Sequence, residues 1–161
     1  MEKLKQTFEF FRQPEISHGE YLYPIDCPHP QLIPRENGIG THTGPYKGAI
    51  DFIVPIGTNV LASADGIVSK VVSGNEKYGN DPKFSQFANY ITIFHPQTKE
   101  YSQYIHISEI LVKEGDTVQK GQNISQTGLN GFMDKPHLHF LVFKSENNKY
   151  GFIGLKPKFK L

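Results

Sequence analysis

Two histidines separated by one leucine, His137-Leu138-His139, open the run HLHFLVF, which is otherwise apolar. Pro136 precedes it, and its residues favour strands, so the pattern predicts a buried strand over 137–143. Alternate side chains of a strand share a face, so His137 and His139 point the same way. Imidazoles are poor core material, because their ring nitrogens need partners. On an edge strand the pair would be ordinary surface residues; on a covered face it suits metal ligation or proton transfer. A second anomaly is Asp51, a carboxylate within the apolar strand AIDFIV, 49–54. Buried and ionised, it needs backbone N–H donors or a cation. His106 is a third, inside the strand-like KEYSQYIHI. Alternation there sets Tyr101, Gln103 and Ile105 on one face and Ser102, Tyr104 and His106 on the other. With His42, these residues make a set of several histidines and one carboxylate, a usual ligand set for a catalytic Zn²⁺ with one position left to water. The helical zinc motif H-E-x-x-H is absent.

The elements that must position this set read as short strands separated by turns. The 161 residues include 15 Gly and 11 Pro, and hydrophobic residues make up 37%. Such a chain can bury a sizeable single core. Asp65-Gly66, between NVLAS and IVSKVV, reads as a hairpin. ANYITIFH and KEYSQYIHI are further strands about a turn at His95-Pro96-Gln97-Thr98, and a short strand follows EGDTVQKGQ. At least seven strands and no long helix predict an all-β fold: an antiparallel sheet or sandwich forming a single domain with a central groove and long loops. Leu4, Phe8 and Phe11 could line one face of a short helix. Pro14 to Gly40 reads as an irregular arm along one groove wall, in which His18 and His29 are solvated. The division is an N-terminal arm, 1–40, packed on a domain of 41–161. FIGLKPKFKL reads as a closing tail.

Net charge is +1 with the signs interspersed, which gives no electrostatic case for a nucleic-acid partner. Cys27 is the only cysteine, so neither an intrachain disulfide nor a thiolate metal cluster is expected. No apolar run reaches transmembrane length, and MEKLKQTFEFFRQPE lacks the apolar core of a signal peptide.

In order along the chain stand His42 and Asp51, Pro55-Ile56-Gly57-Thr58-Asn59-Val60, Ala62-Ser63-Ala64-Asp65-Gly66-Ile67-Val68, Tyr104-Ile105-His106, Gly115-Asp116-Thr117-Val118-Gln119-Lys120-Gly121-Gln122, Thr127-Gly128 and His137-Leu138-His139-Phe140. This ordered set, spanning about residues 40 to 145, resembles the lysostaphin/LytM-like zinc metallopeptidases, which cut peptide cross-links in bacterial cell wall. The resemblance implies Zn²⁺ held by His42, Asp51 and His139, with His106 and His137 as unligated catalytic histidines. It implies a zinc endopeptidase acting on stem or cross-bridge peptides of peptidoglycan, working outside the cell or in its envelope, as a monomer. The alternative within the same fold is a non-catalytic domain that binds wall or a partner hydrolase. A biotinyl or lipoyl carrier reading of GDTVQKGQ leaves the histidines unexplained, and Met133 is not placed for it.

The spacing departs from the commoner family pattern, with eight residues, Thr43 to Ile50, between His42 and Asp51 and Lys47 where the first histidine usually stands. The insertion TGPYKGAI must therefore loop out to return His42 to the metal, which its Gly and Pro residues permit. Tyr46 is a candidate for holding the oxyanion. Cys27 or His29 could reach the metal in a resting form. Asn89, Tyr90 and Asn130 are expected as groove or strand residues and not as catalytic ones.

Overall fold

A computed structural model describes residues 13–34 and 42–160. Leu4, Phe8 and Phe11, with the helix suggested for them, lie outside these residues. The described residues form β1 (Ile16–Tyr21), β2 (Gln31–Pro34), β3 (Ile50–Ile53), β4 (Asn59–Leu61), β5 (Gly66–Val72), β6 (Tyr78–Gly79), β7 (Tyr90–His95), β8 (Glu100–Ile105), β9 (Ile107–Ser108), β10 (Thr117–Val118), β11 (Asn123–Thr127), β12 (Gly131–Phe132), β13 (Leu138–Ser145) and β14 (Phe152–Phe159). Their helical content is two 3₁₀ turns, Gly44–Tyr46 and Pro82–Phe87. The fold is all-β, as the turn-punctuated apolar runs predict. No helix among the described residues is long and apolar enough to cross a membrane.

The main sheet runs β1-β14-β13-β8-β7-β5-β10, with β3 joined to β13 and β2 to β3. Smaller sheets are β4-β11-β9 and β12-β6. Pairing is antiparallel except at β1–β14 and β12–β6. β13 organises the rest. One edge pairs throughout with β8, from His139↔Ile105 to Lys144↔Glu100. The other edge is shared: Leu138 to Phe140 pair with β3, and Val142 to Ser145 with β14. Leu138, Phe140 and Val142 point into the core with Phe52, Tyr104, Ile91 and Ile93. Phe52, Phe140 and Phe159 meet with ring centroids 6.1–6.2 Å apart. By alternation His139 and Leu141 occupy the opposite face.

Three expectations change. β4 and β5 do not form a hairpin, since β4 pairs β11 while β5 pairs β7 and β10. Asp65-Gly66 instead turns a corner between sheets, where Asp65 Oδ1 accepts from Lys120 N (2.7 Å). The N-terminal region is less irregular than its prolines suggest. It supplies β1 and β2, and Tyr21 and Ile25 enter the core. Glu100, buried on β8, fastens β1 by accepting from His18 N (2.9 Å), Gly19 N (2.7 Å) and Tyr21 OH (3.1 Å). The tail is a strand too. Pro157, which has no N–H to donate, lies beyond the last β13–β14 pair at Leu155, so no ladder bond is lost there.

His95 ends β7, at the turn expected there. It is buried, with Nδ1 donating to Asp65 O (2.7 Å) and Nε2 2.9 Å from Ser102 Oγ. Burial pushes its pKa below the ordinary 6.5, against the raising effect of the Asp65 carbonyl and Glu100. The folded protein therefore holds fewer protons than the unfolded chain just below that value. The stability His95 contributes is full above about pH 6.5 and is lost as pH falls toward its lowered native value. Urea unfolding at pH 7.5 and 5.5 is expected to show a larger acid loss for the wild type than for His95→Gln. Equal losses would contradict this account.

Candidate metal centre

β3 and β13 lie side by side with Asp51 directly opposite His139, which explains a carboxylate in an apolar strand. His139 Nδ1 is 3.1 Å from Asp51 Oδ1, and His137 Nε2 is 3.7 Å from the same oxygen. His42 comes from the other direction, with Nε2 3.2 Å from Asp51 Oδ1. His42, Asp51 and His139, all buried, each offer a ligand atom within 4.8 Å of the others. Cys27 and His29 are not in this cluster.

The ring tautomers are constrained by backbone carbonyls, which only accept. His42 Nδ1 donates to Ala49 O (3.0 Å), so in the neutral ring Nε2 carries a lone pair. That lone pair faces the Asp51 carboxylate, and the buried His42 Nε2 has no hydrogen-bond partner. Two acceptors facing each other in a buried site repel unless a cation lies between them. The orphaned nitrogen, the carboxylate and His139 Nδ1 thus fit a divalent metal of the kind bound by nitrogen and oxygen ligands. Burial alone would raise the Asp51 carboxyl. The surrounding histidines, His139 foremost, outweigh it and hold the group well below the usual carboxylate range. Burial also lowers His139, so its neutral, ligating form is favoured.

His106 and His137 stand beside the cluster with ring centroids 4.7 Å apart. His137 Nδ1 donates to Lys135 O (2.7 Å), and His106 Nδ1 to Asn130 O (2.7 Å). Both therefore keep Nε2 available. Burial, with His137 and His139 nearby, pushes the pKa of His106 down to about 3. His106 does not follow the alternation of β8. Ile105, paired with His139, already occupies the site face, so His106 should follow Tyr104 into the core. Instead its backbone turns to φ 69°, and its ring lies 6.3 Å from that of His139. A non-glycine residue held there costs about 1–3 kcal/mol and is characteristic of functional sites.

The inserted loop returns His42 by packing at the branch where β13 exchanges β3 for β14. Its 3₁₀ turn is followed by Gly48 at φ 89°, where a Cβ would fall on the Leu155 carbonyl. From below, a Cβ on Gly154 would fall on the Lys47 carbonyl oxygen. Backbone thus rests on backbone, and no side chain fits between. Tyr46 stacks edge-on against Phe152, with centroids 5.3 Å apart. Phe152 pairs with Ser145, well along β13 from His139, so Tyr46 is a clamp for the loop and not a group at the centre. Gly154→Ala is expected to lift the loop and weaken metal binding by about 10–100-fold, the range for residues that orient a ligand. Chelator competition measures this, and unchanged affinity would rule the clamp out.

The fold and site define a β-sheet protein built around a His/Asp/His centre flanked by two further histidines. Residues 45–150 match peptidase family M23, and the chain belongs to that family. His42 lies just ahead of the matched stretch, so its membership of the centre stands on geometry. Peptidoglycan DD-endopeptidase ShyA of Vibrio cholerae is 36% identical over 122 residues, covering 73% of this chain and 26% of that protein. Lysostaphin of Staphylococcus simulans is 34% identical over 102 residues, covering 63% of this chain and 19% of that protein. The chain thus spans about a quarter or less of these relatives. Among solved structures, the catalytic domain of S. simulans lysostaphin superposes with a TM-score of 0.52 at 28% identity, covering 66% of this chain and 74% of that one.

Proposed function

We propose that this protein is a zinc-dependent endopeptidase that hydrolyses peptide bonds in the stem or cross-bridge peptides of peptidoglycan, acting outside the cell or in its envelope. The observation that carries this is the convergence on one buried spot of the His42, Asp51 and His139 ligand atoms with two histidines whose Nε2 atoms are uncommitted. Similarity to proteins named as a peptidoglycan DD-endopeptidase and as lysostaphin supports the substrate class. The pairing of β1 and β2 with the sheet supports reading the N-terminal region as an arm packed on the peptidase domain.

In this reading His42, Asp51 and His139 hold Zn²⁺, which supplies Lewis-acid activation of water and of the scissile carbonyl. Asp51 contributes negative charge that favours the cation, and the Ala49 carbonyl fixes the His42 tautomer, orienting Nε2 inward. His106 and His137, each with Nδ1 spent on a backbone carbonyl, present lone pairs at Nε2 in their neutral forms. One of them accepts the proton of the attacking water, and the imidazolium so formed returns it to the leaving amine. The positive ring also stabilises the developing negative charge. No catalytic glutamate is needed when histidines move the proton.

The test is to strip the protein with chelator, restore Zn²⁺ and incubate it with cross-linked peptidoglycan fragments and with short Gly- or Ala-containing peptides. Zinc-dependent release of uncross-linked fragments is expected. Wall binding without cleavage of any of them would replace this reading with a non-catalytic binding domain.

A further inference from the structure

The left-handed turn that carries His106 to the centre is held from outside its own strand. His106 N donates to Asn89 O (3.0 Å), and His106 O accepts from Gly128 N (2.8 Å). The ring itself donates from Nδ1 to Asn130 O (2.7 Å). The main-chain carbonyls of Asn89 and Asn130 thus hold the main chain and the imidazole of His106, and the side-chain amides hold those two carbonyls in place. The two asparagines are tied together, since Asn89 N donates to Asn130 Oδ1 (2.8 Å). Both side chains converge on the residue after His106: Ile107 O accepts from Asn130 Nδ2 (2.8 Å) and from Asn89 Nδ2 (3.3 Å). Asn75 closes the network, its N–H donating to Asn89 Oδ1 (3.0 Å) and its carbonyl accepting from Asn89 Nδ2 (3.0 Å). Asn89 is 5% exposed and Asn130 1%, too covered to meet substrate directly.

Two buried amides with all their partners in place rigidify the segments they join. Here that effect is local. Every bond named falls on His106, on Ile107 beside it, or between the loops that flank them. We infer that Asn89 and Asn130 are positioning residues for the reaction, holding His106 in its left-handed conformation with Nε2 directed to the metal centre. The inference rests on the catalytic role proposed for His106. The hydrogen bonds of the two asparagines fall on His106, Ile107, Asn75 and each other, so losing one should disturb proton transfer and leave metal binding in place.

The experiment uses the full chain with Zn²⁺ restored and cross-linked peptidoglycan fragments as substrate. Asn130→Ala and Asn89→Ala are expected to lower kcat about 10–100-fold, the scale of a displaced catalytic group, with KM and zinc content unchanged. In a His106→Ala background the added Asn130→Ala change should cost almost nothing more, because the group it positions is gone. Asn130→Ser keeps a buried hydroxyl but cannot bridge Asn89 N and Ile107 O together. It should give the same signature more mildly, and it carries the test if the alanine variant does not fold. Wild-type kcat in Asn130→Ser or Asn130→Ala would overturn the inference, as would an equal loss with and without His106. If His106→Ala alone keeps full kcat, the role of His106 fails first and this inference falls with it.

Discussion

Asp51→Asn is expected to empty the metal centre. Asp51 is the hub on which His42, His137 and His139 converge at 3.1–3.7 Å, and it supplies the only carboxylate of the cluster. Asparagine keeps its shape but removes the charge that balances a divalent cation. Zinc measured on the dialysed protein should fall from near-stoichiometric to background. The rate should fall with it by the several kcal/mol that a metal ion contributes, about 10³-fold or more. His139→Ala and His42→Ala should behave alike, each deleting a ligand atom. His42→Ala is the sharper case, because its Nε2 is a buried atom without a hydrogen-bond partner. Full zinc retention at wild-type affinity in His42→Ala would remove that residue from the ligand set.

Substitution of the two flanking histidines should separate chemistry from binding. His106→Ala and His137→Ala are expected to keep zinc while kcat on wall fragments falls on the order of 10²-fold or more, the loss that follows removal of acid–base or oxyanion assistance. The reason is positional. Each ring spends Nδ1 on a backbone carbonyl, Asn130 O or Lys135 O, and keeps Nε2 available beside the cluster. The Nε2 of His137 lies 3.7 Å from Asp51 Oδ1, so the zinc content of His137→Ala tests its place outside the ligand set. Should His137→Ala lose the metal while His139→Ala retains it, the roles of the pair are reversed.

Much of the centre is written in local sequence. Alternation from His137 into β13 places His137 and His139 on one face whatever surrounds them, and an aspartate within AIDFIV demands hydrogen-bond donors or a cation wherever the strand lies. The first is a period-two statement, which strands obey residue by residue, and the second follows from the cost of burying a charge, which backbone N–H donors or a cation can offset. The all-β class follows similarly from short apolar runs broken by Gly and Pro. Tertiary structure decided the rest. That Asp51 sits opposite His139 depends on the register between β3 and β13, residues far apart in the chain. β4 and β5 flank a good hairpin signal yet join different sheets, because their apolar faces find better partners in β11 and β7. Strands β1, β2 and β14 hide among prolines and lysines: β1 and β2 pair on one edge only, and Pro157 of β14 lies past its last pair with β13. The return of His42 depends on Gly48 and Gly154 letting one backbone rest on another, a contact that composition can permit but not place. Sharpest of all is His106. Alternation alone sends it into the core with Tyr104, and only a left-handed backbone, braced by asparagines from two other loops, brings it round to the metal centre.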